Sequence, residues 1–226
     1  MSRPTASASS GARNYPKGER RRAQIIEAAF TAFGKVGYRN ASMVQLAGAC
    51  GVSRAGLLHH FPTKEALLEA VLARRELQDD AHFFSEGAAS QAAEDGLEYF
   101  AGLIRLVAHN QANPTIVSLF AVLSSEATAL DHPARPYFVA RYERVRREAR
   151  AAVENLSRRG LLRPHVDTEC LPAELVAMID GLQVQWLLDP RAIDMPTHLR
   201  ARLREFIDVE IPCADGSAAL GATEAP

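Results

Sequence analysis

Residues 42–61, SMVQLAGACGVSRAGLLHHF, are predicted to form two short helices joined by a tight turn. Ser42 can cap the first helix because a glutamine follows three residues later, which is the spacing of a capping box. Gly51 supplies the turn, Ser53 can cap the second helix, and Pro62 ends it. The apolar residues of the first helix share one face, at the spacing of helical turns: Met43, Leu46, Ala47 and Cys50.

The second helix has one apolar edge and one edge that faces away from the protein. Leu57 and Phe61 are four residues apart and are expected to form the buried edge. At about 100° per residue, Ala55 and His59 then point outward. Two helices joined by a glycine turn form the helix-turn-helix arrangement, whose second helix enters the major groove of DNA. The stretch therefore predicts a DNA-binding motif.

Charge is distributed unevenly along the chain, although the net charge is only −1. Residues 1–64 hold ten basic and two acidic residues, whereas the remainder holds 16 basic and 25 acidic residues. A basic N-terminal part is typical of contact with a polyanion such as DNA, and an acidic remainder is typical of a solvated body. The alternative is an accidental charge gradient without a bound partner.

Composition argues against several classes of protein. With 226 residues, of which 47% are hydrophobic, the chain can bury a substantial core. Cys50, Cys170 and Cys213 are widely spaced, which argues against a disulfide framework or a zinc site and favours a reducing cytoplasm. The sequence contains no secretory signal and no apolar run long enough to span a membrane. Common catalytic motifs are also missing, so we expect no enzyme activity, no metal and no cofactor.

The hydrophobic pattern predicts an all-α protein with about nine helices. We expect a DNA-binding domain over residues 17–64 and an effector-binding and dimerisation domain over residues 65–210. Residues 1–16 and 211–226 have the composition of disordered tails, and residues 79–93 are expected to be irregular. Besides the two motif helices, the predicted helices span about 17–36, 64–78, 94–113, 115–130, 136–159, 172–188 and 197–209.

The sequence resembles the tetracycline-repressor (TetR) family of bacterial regulators. The resemblance is carried by RAQIIEAA at residues 22–29, by Phe33 and Gly37-Tyr38, and by residues 42–68, which end in HHFPTKEALL. A weaker likeness covers residues 160–190. The family implies a homodimer with a three-helix DNA-binding head, joined by a fourth helix to a ligand-binding body. Its two recognition helices suit half-sites of a palindromic operator roughly 34–36 Å apart, and bound ligand moves the heads out of register.

The resemblance also implies which residues contact DNA. Leu58 stands where the family usually has tyrosine, so it is limited to packing or to contact with a thymine methyl group. Arg54 either reads guanine O6 and N7 or clamps a phosphate, and both roles stay open. His59 and His60 either lie against DNA or are neutral surface histidines. The complete candidate set is Lys17, Arg22, Ser42, Ser53, Arg54, Ala55, Gly56, Leu58, His59, His60 and Lys64.

The effector site is expected among the fourth to eighth helices, where polar groups interrupt apolar stretches. The candidates are Asn110, Phe120, Ser124, Glu126, Tyr142, Gln183 and Trp186. Each polar candidate can instead be a satisfied core or surface residue. Trp186 is expected at the pocket floor or the dimer interface, with an internal core position as the alternative. The mixture of aromatic and aliphatic residues indicates a moderately apolar small molecule.

Dimerisation is expected through the last two helices, whose broad apolar faces suit a four-helix interface. The candidate residues are Leu175, Ile179, Leu182, Leu199, Leu203 and Phe206. Together these observations predict a cytoplasmic, homodimeric repressor that a small-molecule effector releases from double-stranded operator DNA. The alternatives are an activator, or an architectural or protein-responsive DNA-binding regulator without a small-molecule effector. A filled interior would favour a regulator without an effector, and an enclosed cavity would favour the effector.

Overall fold

The structure, a computed structural model, describes residues 17–84 and 87–212, which fold as ten helices without a strand. A single antiparallel bridge pairs Leu162 with Ile207. The helices, numbered in chain order, are α1 (Lys17–Asn40), α2 (Met43–Ala49), α3 (Arg54–His60), α4 (Lys64–Phe83), α5 (Ala88–Glu94), α6 (Gly96–Ala112), α7 (Pro114–Glu126), α8 (Arg135–Arg158), α9 (Leu171–Leu188) and α10 (Met195–Phe206).

The all-α class is confirmed, and the differences from the predicted helices are local. The segment expected to be irregular contains the last turn of α4 and the whole of α5. Asp80 Oδ1 accepts the backbone N–H of Ala88 at 2.8 Å, which ties α5 back to α4. Ala88 and Ala92 are buried. Because alanines carry little apolar surface, the pattern of α5 was too weak to predict a helix.

The boundaries of the predicted tails can be compared with the structure at one place. Ile211 is buried, with 6% of its surface exposed, so the predicted C-terminal tail is wrong at its first residue. The backbone N–H of Asp208 donates to Leu161 O at 2.9 Å, which holds the segment before Ile211 against the body. Residues 1–16 and 213–226 of the predicted tails lie outside the described residues.

The first three helices pack around a common core, which we call the head. Its fully buried side chains include Ile25, Phe33, Leu46, Leu57 and Phe61. The edge of α3 that was predicted to be buried is therefore confirmed. The same buried cluster continues through α4 into α7, so the head is joined to the rest of the chain by packed side chains.

The remaining helices form a body with its own buried cluster, which includes Phe100, Leu156 and Leu199. The body packs against the head where α7 meets α1. Ser118 Oγ donates to Gly34 O at 2.5 Å. A Cβ atom added at Gly34 would lie 3.2 Å from Thr115 O, so only glycine allows this spacing without adjustment. Because the two helices are packed this closely, a displacement of α7 must also shift α1.

Candidate DNA-binding surface and internal cavity

The predicted caps of the motif helices are confirmed. Ser42 Oγ accepts the N–H of Gln45 at 3.2 Å, and Gln45 Oε1 accepts the N–H of Ser42 at 3.0 Å. Ser53 Oγ accepts the N–H of Gly56 at 3.0 Å. The turn between them is made by Gly51, whose φ of 60° lies in the left-handed region that favours glycine. The two helices therefore hold the geometry of a helix-turn-helix.

Arg21, which lies in α1, holds this turn in place through a contact that the sequence did not predict. Its Nη2 donates to Gly51 O at 2.6 Å and to Cys50 O at 3.3 Å. These carbonyls stand at the end of α2, where no helical N–H is available to them. A charged donor strengthens such hydrogen bonds. Because some thirty residues separate the partners, no local pattern could have predicted the contact.

Most of the residues predicted to contact DNA lie on one exposed surface formed by α2 and α3. Ser42, Ser53, Arg54, Ala55 and His59 are exposed, and Gly56, Leu58 and His60 are half-buried. The rings of the two histidines meet edge to face, with centroids 5.4 Å apart. At the start of α3, Arg54 supplies positive charge, and the small residues Ala55 and Gly56 leave room for the edge of a DNA groove.

Two further candidates have contacts within the head. The Arg22 guanidinium lies 4.7 Å from the centroid of the Phe61 ring, at the end of α3. Lys64 Nζ donates to Tyr38 O at 2.9 Å and to Ala41 O at 3.0 Å. Lys64 therefore joins α4 to the segment between α1 and α2, and its ammonium group also lies 4.0 Å from the centroid of the Tyr38 ring. The side chain of the remaining candidate, Lys17, lies outside the described residues.

Glu126 is not a cavity residue, so the prediction that it orients an effector is wrong. Its Oε2 accepts the backbone N–H of Tyr38 at 2.8 Å, directly after a kink within α1. The break occurs at Gly37, whose φ is 74°. The buried His132 ring lies edge-on to Tyr38 and brings its Nε2 to 3.5 Å from Glu126 Oε2. The Glu126 carboxylate therefore faces the head, where the backbone N–H of Tyr38 is its donor.

A cavity of about 870 Å³ lies inside the body, between α4 and α9. Five of the predicted effector residues line it: Asn110, Phe120, Ser124, Tyr142 and Gln183. Aliphatic side chains and the rings of Phe84, Tyr99 and Phe138 complete much of the wall. A large apolar cavity with a few converging polar groups is the usual form of a small-molecule site. The interior is therefore not filled.

Charged side chains also reach the cavity wall. Arg144 pairs with Glu76 and lies 3.5 Å from Glu148. Tyr142 Oη donates to Asp180 Oδ2 at 2.7 Å. Burial raises the pKa values of the Glu148 and Asp180 carboxyls above their ordinary range. This acidic wall was not predictable from the sequence, because its carboxylates are spread over three helices.

A buried ion pair separates the cavity from a second cleft. Arg75 pairs with Asp79 one turn along α4, and its Nη2 donates to Asn110 Oδ1 at 3.1 Å. Burial raises the pKa of Asp79 and lowers that of Arg75. Beyond the pair lies a cleft of about 730 Å³, whose wall includes Glu27 and Phe30 of α1. Arg75 thus stands between the cavity and the head.

Most of the predicted dimerisation residues are buried inside the single chain, so the prediction is wrong for those residues, whereas dimerisation through the last two helices stays a prediction. Five have at most 8% of their surface exposed: Leu175, Leu182, Leu199, Leu203 and Phe206. The sixth, Ile179, is half-buried, and it lines the cavity together with Leu175. Trp186 is buried in the body cluster and is absent from the cavity lining. It occupies the core position that was the alternative prediction.

A different face of α9 is largely exposed in the single chain. Val184 and Leu188 are 48% and 82% exposed. Ala177 is exposed and Gly181 is half-buried, and a Cβ at Gly181 would meet nothing within 4 Å. The four residues follow at spacings of four, three and four, so they form one stripe along the helix. We call it the α9 stripe.

Known proteins with similar sequences and folds match this arrangement. The family model described as "Bacterial regulatory proteins, tetR family" matches residues 25–71, and the one described as "BetI-type transcriptional repressor, C-terminal" matches residues 99–212. The HTH-type transcriptional regulator TtgR of Pseudomonas putida is 27% identical over 194 residues, covering 81% of this chain and 88% of that protein. The chain belongs to the TetR family of bacterial transcriptional regulators.

Solved structures agree with the fold. A transcriptional regulator from Saccharomonospora viridis in complex with choline has a TM-score of 0.69 at 24% identity, covering 84% of this chain and 98% of that chain. The complex of SmeT, a repressor from Stenotrophomonas maltophilia, with triclosan has a TM-score of 0.69 at 16% identity, covering 91% of this chain and 100% of that chain. Within residues 17–84 and 87–212, no helix is long and apolar enough to cross a membrane.

Proposed function

We propose that the protein is a cytoplasmic, homodimeric transcriptional repressor that leaves its operator when a small molecule occupies the body cavity. The observation that carries the proposal is the 870 Å³ cavity behind a helix-turn-helix head. A DNA-binding regulator without an effector has no use for an unfilled interior, which costs packing energy. Two structures of similar fold are complexes with choline and with triclosan, which supports the binding of a small molecule.

Helix α7 is positioned to carry the signal from the cavity to the head. One side of α7 lines the cavity with Val117, Phe120 and Ser124. Its other side contacts α1 through Ser118, and its last residue, Glu126, holds the backbone at Tyr38. An effector that fits the cavity best when α7 is displaced therefore favours a second orientation of the head. Differential affinity for the two orientations is what allows an effector to change DNA affinity.

The dimer is proposed to form through the α9 stripe. The small residues Ala177 and Gly181 allow close approach of a second helix, and Val184 and Leu188 supply apolar surface. Pairing across a two-fold axis would place identical stripes against each other. The two α3 helices would then face successive major grooves on one side of a palindromic operator.

The test is a DNA-release experiment with the full-length protein. A duplex selected from a random library serves as the operator, and fluorescence anisotropy reports its binding. A small-molecule screen by thermal shift identifies compounds that stabilise the protein, since ligands of the native state raise its stability. We expect stabilising compounds to weaken operator binding. Compounds that fill the cavity but leave operator affinity unchanged would contradict release by an effector.

A further inference from the structure

Carboxylates outnumber guanidinium groups on the cavity wall. Two arginines, Arg141 and Arg144, line the cavity. Arg75 stands just behind the wall and pairs with one of the acids. Even with Arg75 counted, the wall has two more carboxylates than cations. The five acidic residues are Glu76, Asp79, Asp80, Glu148 and Asp180.

The ion pairs of the described residues leave two of these carboxylates, Asp80 and Asp180, outside any ion pair. Arg144 is shared by Glu76 and Glu148, and Arg75 pairs with Asp79. Asp80 links α4 to α5, because its carboxylate accepts the backbone N–H of Ala88. Among the ion pairs of the described residues none involves Asp180, whose hydrogen-bond donor is the hydroxyl of Tyr142. Desolvation raises the pKa of its carboxyl, and the hydroxyl of Tyr142 and the positive charge of Arg141 only partly offset this.

Aromatic rings surround the same part of the cavity. The rings of Phe138 and Tyr142 lie with centroids 6.4 Å apart, and Tyr142 contacts Asp180 through its hydroxyl. Ring faces attract cations, and the attraction grows when the site is dry. The wall already uses this interaction once, because the Arg141 guanidinium lies 4.7 Å from the centroid of the Phe120 ring. A carboxylate next to Tyr142, whose ring in turn lies near that of Phe138, is a suitable site for an ammonium group.

We propose that the effector is an organic cation whose ammonium group binds beside Asp180, against the rings of Tyr142 and Phe138. The proposal rests on the proposed function, because it names the chemical class of the ligand that the cavity takes. The apolar part of the ligand extends along the aliphatic wall formed by α6 and α9, which includes Leu103, Val107 and Val176. The ligands of the two similar structures do not decide this point, because choline is a cation and triclosan is not.

An anionic effector is disfavoured by the carboxylates around Arg141. An anion could pair with this guanidinium, whose positive charge lowers the pKa values of Asp79, Glu148 and Asp180. It would then lie among the same three carboxylates and meet their repulsion. A cation beside Asp180 gains from those charges, and Arg141 stays on the Phe120 ring.

The test uses three probes that share one skeleton and differ in charge: 4-phenylbutylamine, 4-phenylbutan-1-ol and 4-phenylbutanoate. Binding to the full-length protein is measured by isothermal titration calorimetry at neutral pH. We expect the amine to bind about tenfold more tightly than the alcohol, and the carboxylate to bind most weakly. Asp180→Asn should remove the preference for the amine and leave the alcohol unaffected. Glu174→Gln makes the same charge change on α9 outside the cavity lining and is the matched control.

Each result decides the proposal. Equal binding of amine and alcohol, tightest binding of the carboxylate, or no binding of the amine at millimolar concentration would overturn it. The thermal midpoint of Asp180→Asn shows whether the variant is folded. If it is not folded, Glu148→Gln neutralises another carboxylate of the cavity wall, and its preference for the amine is measured instead. Operator release is measured separately with the same probes. If the alcohol releases DNA as well as the amine, the cation proposal fails and the regulatory function stands. If the amine binds in a manner that depends on Asp180 and DNA is retained, the regulatory function fails instead.

Discussion

Arg75 Nη2 donates to Asn110 Oδ1 at 3.1 Å, and this bond joins α4 to the cavity wall formed by α6. The same guanidinium pairs with Asp79, another wall residue, and borders the cleft that reaches Glu27 of α1. The contact therefore connects the cavity to the head at a second place, apart from α7. A ligand that engages Asn110 or Asp79 competes with Arg75 for the same oxygen atoms.

Replacing only one partner of the Arg75–Asp79 ion pair should strongly destabilise the protein. Its side chains are 10% and 13% exposed, so removing only the cation leaves a buried, uncompensated carboxylate. We expect Arg75→Met to lower the free energy of unfolding by about 3–5 kcal/mol. The double variant Arg75→Met/Asp79→Leu should recover most of this loss. Urea denaturation measures both, and equal stability of the single and double variants would show that the pair is not coupled.

Gly37 should resist substitution for two reasons that act together. Its φ of 74° and ψ of 174° lie in a region that is almost exclusive to glycine and costs a residue with a Cβ atom about 1–3 kcal/mol. The added Cβ would also overlap the Glu126 carboxylate. We expect Gly37→Ala to destabilise the protein by more than the backbone cost alone. Gly48→Ala is the control, because a Cβ there meets nothing within 4 Å and helical alanine should stabilise by about 0.5–1 kcal/mol. Equal thermal midpoints of the two variants would contradict this account.

His132 should make the junction between head and body sensitive to acid. Burial is the largest cause that lowers its pKa, and Arg39 adds to the lowering, while Glu126 and Asp131 oppose it. Because the folded form binds the proton less readily than the unfolded chain, stability is complete above the unfolded pKa of about 6.5 and declines as the pH falls below it.

His132→Asn removes this titration and keeps an oxygen where Nδ1 accepts the N–H of Ala134 at 3.2 Å. We expect the variant to lose less stability than the wild type between about pH 7.5 and about pH 5.5. Urea midpoints at the two pH values measure the difference. The same acid-induced loss in both proteins would show that other groups are responsible.

The α9 stripe should determine the oligomeric state. A carboxylate placed at Val184 or Leu188 would be buried without a partner in the proposed interface. We therefore expect Val184→Glu and Leu188→Glu to give monomers in sedimentation experiments. Leu130→Glu is the matched control, since Leu130 is 85% exposed and lies in the loop between α7 and α8. A dimer that survives both stripe substitutions would exclude this face as the interface.

The sequence predicted those features of the molecule that depend on neighbouring residues. The caps of α2 and α3 were predictable because Ser42 and Gln45, like Ser53 and Gly56, act across three residues. Five cavity residues were also identified, because polar groups within apolar helices are few.

Contacts between distant residues were not predictable. Arg21 reaches Gly51, and Glu126 reaches Tyr38 across 88 residues. The dimerisation residues were misassigned for a related reason. Helix α9 is apolar on several sides, so its sequence does not indicate which side faces the chain's own core. Leu175 and Leu182 face the core, whereas Val184 is exposed.

Selection from a random duplex library shows whether this protein reads DNA as a symmetric dimer through α3. We expect enrichment of a palindrome whose half-sites lie about one helical turn apart. Arg54→Ala should lose about 1–3 kcal/mol of base discrimination at one position in each half-site if Arg54 reads a base. If the wild-type protein enriches no common sequence, it does not read DNA in this way.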